Sequence, residues 1–171
     1  KNKMNIQNIV INKAKFDFYK KDLKNLIAFF NKEINEKKVT IKNNTIFLKN
    51  KADDIYTIIS IDKSNSFYNK LELVNRLDIN GEIFNNSFKL DLKNNFLKKR
   101  SNLDLVLNKL NKKFTNDIDF TNQNKIGNLS YLDARKKYDT KYTFNNDVLK
   151  FYSDEKIDDN FVYSGIVNFS P

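Results

Sequence analysis

Two short basic runs set among aromatic residues carry the chemistry this sequence offers. The first is Lys98-Lys99-Arg100. The second is Arg135-Lys136-Lys137, flanked by Tyr131, Tyr138 and Tyr142. Cations interleaved with aromatic rings are what stacks single-stranded nucleic acid or grips an acidic glycan or a lipid headgroup. The alternative is an exposed face whose tyrosines belong to a sheet. We place the binding surface at 131–142, because that segment has no counterpart of equal length in the duplication described below, and insertions on a repeated scaffold carry function.

Carboxylates are the other source of chemistry. Asp117, Asp119, Thr121 and Gln123 set oxygen side chains at alternate positions, as a calcium loop does. Asn122 stands where that loop needs glycine and Asn128 where it needs a bidentate glutamate, so a strand fits better. Asp53-Asp54 and Asp158-Asp159 sit in polar stretches before strands, which suits turns more than acid–base catalysis. The chain has no histidine, cysteine or tryptophan. That excludes Ser-His-Asp and Cys-His catalysis and zinc sites built on His or Cys. Three scattered glycines cannot form a phosphate-binding loop. The expectation is a protein that is not an enzyme and uses no cofactor or metal.

The net charge of +10 invites a nucleic-acid reading. Only Arg76, Arg100 and Arg135 among the 31 basic residues are arginine, however, and arginine is the usual reader of phosphate and base edges. Lys, Asn, Ile, Phe and Tyr all have A/T-rich codons, so the lysines read as the surface such a genome makes. Nucleic-acid binding through lysine-rich patches is the alternative to the reading below.

Next come the elements that must position these residues. Leu23, Leu26, Ile27, Phe30 and Ile34 have the spacing of one helical stripe, and Leu103, Val106, Leu107, Leu110 and Phe114 repeat it 80 residues later. This predicts helices at about 19–36 and 95–113. Strands are expected at 5–11, 55–61, 88–92, 117–120, 139–144, 147–152 and 161–169. Residues 39–48 read as a hairpin turning at Asn43-Asn44, and 64–77 as ambiguous, leaning to strand. Further turns are expected at Asn80-Gly81 and Asn145-Asn146, a helical turn near 132–138 and a bulge at Gly165. The fold class expected is α+β: two tandem helix-plus-antiparallel-meander units, 1–86 and 87–171, which pack together or share a sheet, with one compact domain as the alternative. Leu26, Phe30, Val106 and Leu110 would form the core.

The helix at 102–114, the strand after it and the closing 161–169 segment, with Tyr163, Gly165, Val167 and Phe169, resemble a repeat found in surface lipoproteins of mollicutes. The resemblance implies a non-catalytic, extracellular domain tethered to a membrane through a lipidated N-terminus outside this stretch. A start at Lys rather than Met fits a piece of a longer exported protein. No run is long and apolar enough to span a bilayer. The function expected is a surface or secreted interaction module of a bacterial cell envelope protein. Its expected partner is a protein or an acidic surface ligand.

Overall fold

The computed structural model describes residues 8–19, 21–22, 38–153 and 162–169. They form one twelve-stranded sheet. The strands are β1 (Asn8–Asn12), β2 (Lys15–Tyr19), β3 (Lys38–Lys49), β4 (Ile55–Asn69), β5 (Val74–Ile83), β6 (Asn86–Asn95), β7 (Arg100–Leu107), β8 (Lys112–Asp119), β9 (Lys125–Asp133), β10 (Lys136–Asn145), β11 (Val148–Ser153) and β12 (Ser164–Asn168). From β3 to β12 each strand pairs antiparallel with the next. β1 and β2 both lie parallel to β3, side by side along its edge.

The expected α+β architecture is therefore corrected: no helical element occurs among the described residues. Residues 95–113 are the end of β6, all of β7 and the start of β8. Leu103, Leu105 and Leu107 alternate with Asn102, Asp104 and Val106, which is the period of a strand. The adjacent Val106-Leu107 pair satisfied a helical stripe as well, and the period could not be decided on five residues. Leu110, expected in a core, lies in the β7–β8 turn and is 47% exposed. Val106 is half-buried, on the side of the sheet opposite Leu105. Most of the first predicted helix, with Leu26 and Phe30, lies outside the described residues, as do residues 5–7 and the Asp158-Asp159 pair. Position 86 opens β6, which pairs with β5 along its whole length.

Several turns also moved. Residues 39–48 are one continuous strand; Asn43 keeps a positive φ of 53° inside it, and Asn44 is buried. The turn expected at Asn80-Gly81 is made instead by Phe84-Asn85, both at positive φ (49° and 59°), as a two-residue type I′ hairpin requires. The next such turn is Asn146-Asp147, one residue later than expected. Residues 132–138 form the β9–β10 hairpin rather than a helical turn.

Glycine has a different use here. Gly81, Gly127 and Gly165 lie within strands, directly opposite Phe88, Tyr142 and Phe151. A Cβ on Gly127 or Gly165 would run into that ring; at Gly81 it would run into the carbonyl oxygen of Ser60 and press on the Phe88 ring at 3.1 Å. Each missing side chain makes room for an aromatic ring to lie across the neighbouring strand, a pairing that stabilises a glycine-containing sheet. Gly165 stays in register with Phe151, so it marks no bulge.

The sheet is one layer thick. Every pair of elements in substantial contact is a pair of hydrogen-bonded neighbours. The chain exposes 12754 Å², whereas a compact globule of 20.2 kDa exposes about 8,800 Å². Few apolar side chains are fully covered: Ile61, Tyr68, Val74, Leu77 and Phe88, all in β4 to β6.

Candidate functional site

Cross-strand register decides which side chains share a face, because directly opposed residues point the same way. One row runs Ile46, Ile59, Ile83 and Asn86 through β3 to β6. Another runs Ile79, Leu90, Leu105, Phe114, Tyr131 and Tyr138 through β5 to β10. Leu77, Leu92 and Leu103 form a third. All lie on the same side, and that side runs from β1 (Ile9, Ile11) to β12 (Val167) with apolar residues in every strand, interspersed with uncharged polar ones such as Ser64, Asn75, Asn94 and Asn116. At register-paired positions its charged residues are Lys112, Lys125, Asp133 and Lys136, and each is the first or last residue of its strand. Asp62, the unpaired residue of the β4 bulge, is the one charge within a strand that the register assigns to neither face. At roughly 4.8 Å per strand the apolar face extends roughly 50 Å across the sheet.

The opposite face carries the other paired charges, set among apolar residues that include Val10, Ile58, Val106, Ile126 and Leu132. Asp78, Asp91 and Asp104 stand directly across from one another on β5, β6 and β7. Lys89 pairs with Asp91 at 3.2 Å and Lys113 with Asp104 at 3.6 Å. Partial burial, then a hydrogen bond with Asp91 and that residue's charge, raise the Asp78 carboxyl above its ordinary pKa. Among the described residues no group of three acidic side chains is arranged to hold a metal ion.

The nine residues singled out in the two basic runs do not form one site. Lys98 and Lys99 lie in the β6–β7 turn, and Arg100 opens β7 on the polar face, 3.5 Å from Asp119. Arg135 is exposed in the β9–β10 turn, and Lys137 lies on the polar face, 2.7 Å from Asp139. Burial pushes the Asp139 carboxyl up, but its hydrogen bonds with Lys137 and Ser130 outweigh that and hold it below its ordinary value. The two runs sit at opposite ends of the strands: Arg100 begins β7, while Lys136 aligns through Asp133 and Lys112 with Leu107 at its end. Seven residues of strand, about 24 Å, separate them.

What the register does gather, on the apolar face, is Tyr131, Lys136, Tyr138 and Tyr142. Two residues hidden by the helical reading, Lys112 and Phe114 of β8, join them. Phe114 stacks on Tyr131 with ring centroids 4.6 Å apart, and Tyr131 on Tyr138 at 5.9 Å. Lys112 lies 5.8 Å over the Tyr131 ring and 3.5 Å from Asp133, which also accepts the Tyr131 hydroxyl at 3.0 Å. A hydrogen bond with Tyr131, then the Asp133 charge, raises the Lys112 pKa, so this ammonium is firmly charged. Lys136 makes no ion pair among the described residues. Tyr142 donates to Asn116 Oδ1 at 2.8 Å, and burial raises its phenol pKa.

This arrangement can do two things. The three stacked rings cover one another's π faces, so they form an apolar ridge more than a platform for bases. The rim beside them holds two ammonium groups and one carboxylate, a weakly positive edge to an uncharged field. The signal that could have revealed it is the triplet Leu77-Asp78-Ile79, Leu90-Asp91-Leu92 and Leu103-Asp104-Leu105, recurring every 13 residues. That is the length of one strand with its turn.

In comparisons with known proteins, no family model, no curated protein and no solved structure matches the chain.

Proposed function

We propose that the chain is a non-enzymatic interaction module of a bacterial cell surface. Its working surface is the apolar face of the sheet, which takes the hydrocarbon chain of an anionic lipid and meets the headgroup at the Lys112–Lys136 rim. The observation that carries this reading is the distribution of charge. At the register-paired positions of all twelve strands the charged residues of this face are confined to strand ends, and among the described residues no second layer covers it. A monomeric soluble protein seldom leaves an apolar surface of this extent uncovered unless something binds there. Hydrocarbon fits a long uncharged strip, because dispersion and desolvation need no fixed partners. Lys136 supplies a cation at the rim, where a headgroup remains in water.

The test is a titration with the fluorescent fatty acid cis-parinaric acid. Leu129, 36% exposed on the apolar face, is replaced in Leu129→Asp; Tyr152, 50% exposed on the polar face, is replaced in Tyr152→Asp. The expected result is binding by the parent, at least about tenfold weaker binding by Leu129→Asp, and no change in Tyr152→Asp. Lys136→Glu is expected to weaken the fatty acid but not its methyl ester. If the parent binds neither probe, or loses as much affinity in Tyr152→Asp as in Leu129→Asp, the reading is wrong.

A further inference from the structure

Among the described residues the last strand leaves one edge of the sheet open. From Val162 to Phe169 the chain reads Val-Tyr-Ser-Gly-Ile-Val-Asn-Phe, without one charged residue, in a sequence that is 30% charged. Its apolar side chains are among the most exposed of the molecule: Val162 65%, Ile166 69% and Phe169 60%. The Phe169 N–H donates to the Asp147 carbonyl, and the Tyr163 carbonyl accepts from Ser153 N–H, both at 2.8 Å. The odd-numbered residues of β12 thus bond towards β11. By the alternation of an antiparallel ladder, Ser164 and Ile166 direct their N–H and C=O groups outwards. Among the described residues β12 pairs with β11 alone. Sheets normally protect such an edge with charge, proline or a bulge. β2, at the other edge, carries Lys15 and Asp17, with Asp17 paired to Lys49 at 2.8 Å. β12 has no such device.

We propose that β12 is a strand-addition site: an extended segment of a separate polypeptide, with apolar and acidic residues alternating, pairs antiparallel with Ser164–Asn168. Main-chain hydrogen bonds to Ser164 and Ile166 provide the attachment. The side chains of the incoming strand are specified by the two faces. On the apolar face its residues extend the row of Leu149, Phe151 and Val167, and the one opposite Gly165 meets the Phe151 ring that fills the glycine's space. On the polar face Lys150 stands directly across from Ile166, about two strand spacings, or roughly 10 Å, from the incoming chain. An acidic side chain laid over Ile166 reaches it. The same charge argues against a second copy of this chain, since each copy carries +10 and pairing two such edges brings two Lys150 residues close. The site is independent of what occupies the apolar face.

The probe is a fluorescein-labelled peptide, Thr-Val-Glu-Val-Glu-Val-Glu-Thr, blocked at both ends, titrated into the full chain and followed by anisotropy. Two derivatives carry N-methyl groups, one on the glutamate amides and one on the valine amides. Ser164 and Ile166 are polar-face positions, so the residues that exchange hydrogen bonds with them are the glutamates. The expected result is at least tenfold weaker binding on methylating the glutamate amides and little change on methylating the valine amides. Amide exchange should slow at Ser164 and Ile166, and a Val-Lys version of the peptide should fail to bind. Equal binding by the two methylated peptides, or by the Val-Lys peptide, overturns the proposal. So does sedimentation as a dimer that the peptide cannot dissociate, since the edge would then belong to a second copy.

Discussion

Replacing Gly127 with alanine tests the glycine–aromatic pairing that shapes this sheet. A Cβ at Gly127 would lie 2.5 Å from Tyr142 Cε1, and closer still to Cζ and the hydroxyl oxygen. Ordinary carbon–carbon contact is about 3.5–4.0 Å, so the ring has to withdraw by an ångström or more. It is not free to do so, because its hydroxyl is held by Asn116 Oδ1 at 2.8 Å across β9. Overpacking costs about 1–3 kcal/mol. Losing the hydroxyl's hydrogen bond adds about 0.5–1.5 kcal/mol. The reduced freedom of the unfolded chain offsets about 0.4–1 kcal/mol. The expected net loss for Gly127→Ala is therefore about 0.5–4 kcal/mol, read as a lower urea midpoint at unchanged slope. A double-mutant cycle isolates the cause. Beside Tyr142→Ala the same alanine has no ring to displace, so the cycle should show coupling of about 1 kcal/mol or more. A Gly127→Ala variant within about 0.5 kcal/mol of the parent, or an additive cycle, would refute the view that these glycines exist to seat rings.

Three further outcomes follow from the same structure. Asp78 faces Asp91 directly, and its pKa is raised in the folded state; the stability it contributes is present below the unfolded carboxyl pKa and lost as pH rises through the folded one. Asp78→Asn should thus stabilise the protein by about 0.2–1 kcal/mol near neutrality and not at about pH 3, which urea midpoints across that range will show. Asn44 is 2% exposed, and its Oδ1 accepts the Ala14 N–H at 2.6 Å where β1 passes into β2. Asn44→Ala should cost about 1–3 kcal/mol, with amide protection lost first at Ile9 and Ile11 while β5 to β8 stay protected. Phe84 holds a φ of 49° while 70% exposed, a backbone region asparagine enters more readily than a bulky residue. Phe84→Asn should therefore raise the urea midpoint, by about 0.4–1 kcal/mol; a lower midpoint would mean that the Phe84 ring contributes more than its turn costs.

Much of the sheet was legible in the sequence. The strands expected at 55–61, 88–92 and 139–144 lie within β4, β6 and β10, and those at 147–152 and 161–169 overlap β11 and β12. In 55–61 and 88–92 apolar residues alternate with a period of two, which marks a strand; the others are bounded by turn residues and rich in aromatic or β-branched ones. The second helix was misread where that alternation is blurred: Val106 beside Leu107, then Leu110 in a turn, imitate a stripe of period 3.6. The turns were misplaced for a related reason. Asn-Gly is a strong hairpin signal, but Gly81 is needed in mid-strand, where a Cβ would meet the Ser60 carbonyl oxygen, and Phe84-Asn85 makes the turn without glycine. The candidate site was legible only in part. Tyr131, Lys136, Tyr138 and Tyr142 meet on one face, whereas Lys98, Lys99, Arg100, Arg135 and Lys137 belong to turns or to the polar face.

By itself, then, the sequence excluded chemistry that needs histidine or cysteine and set the alternation of those strands whose apolar residues fall at every second position. The absence of histidine and cysteine is a matter of composition, and the period of two is a property of the backbone within a few residues. Tertiary structure alone decided that the strands form one layer, uncovered among the described residues, that Phe114 stacks on Tyr131, and that the two basic runs lie at opposite ends of the sheet. Those facts depend on hydrogen-bond register between residues far apart in the chain. A slip of one residue in any pairing would reverse which face every later side chain joins.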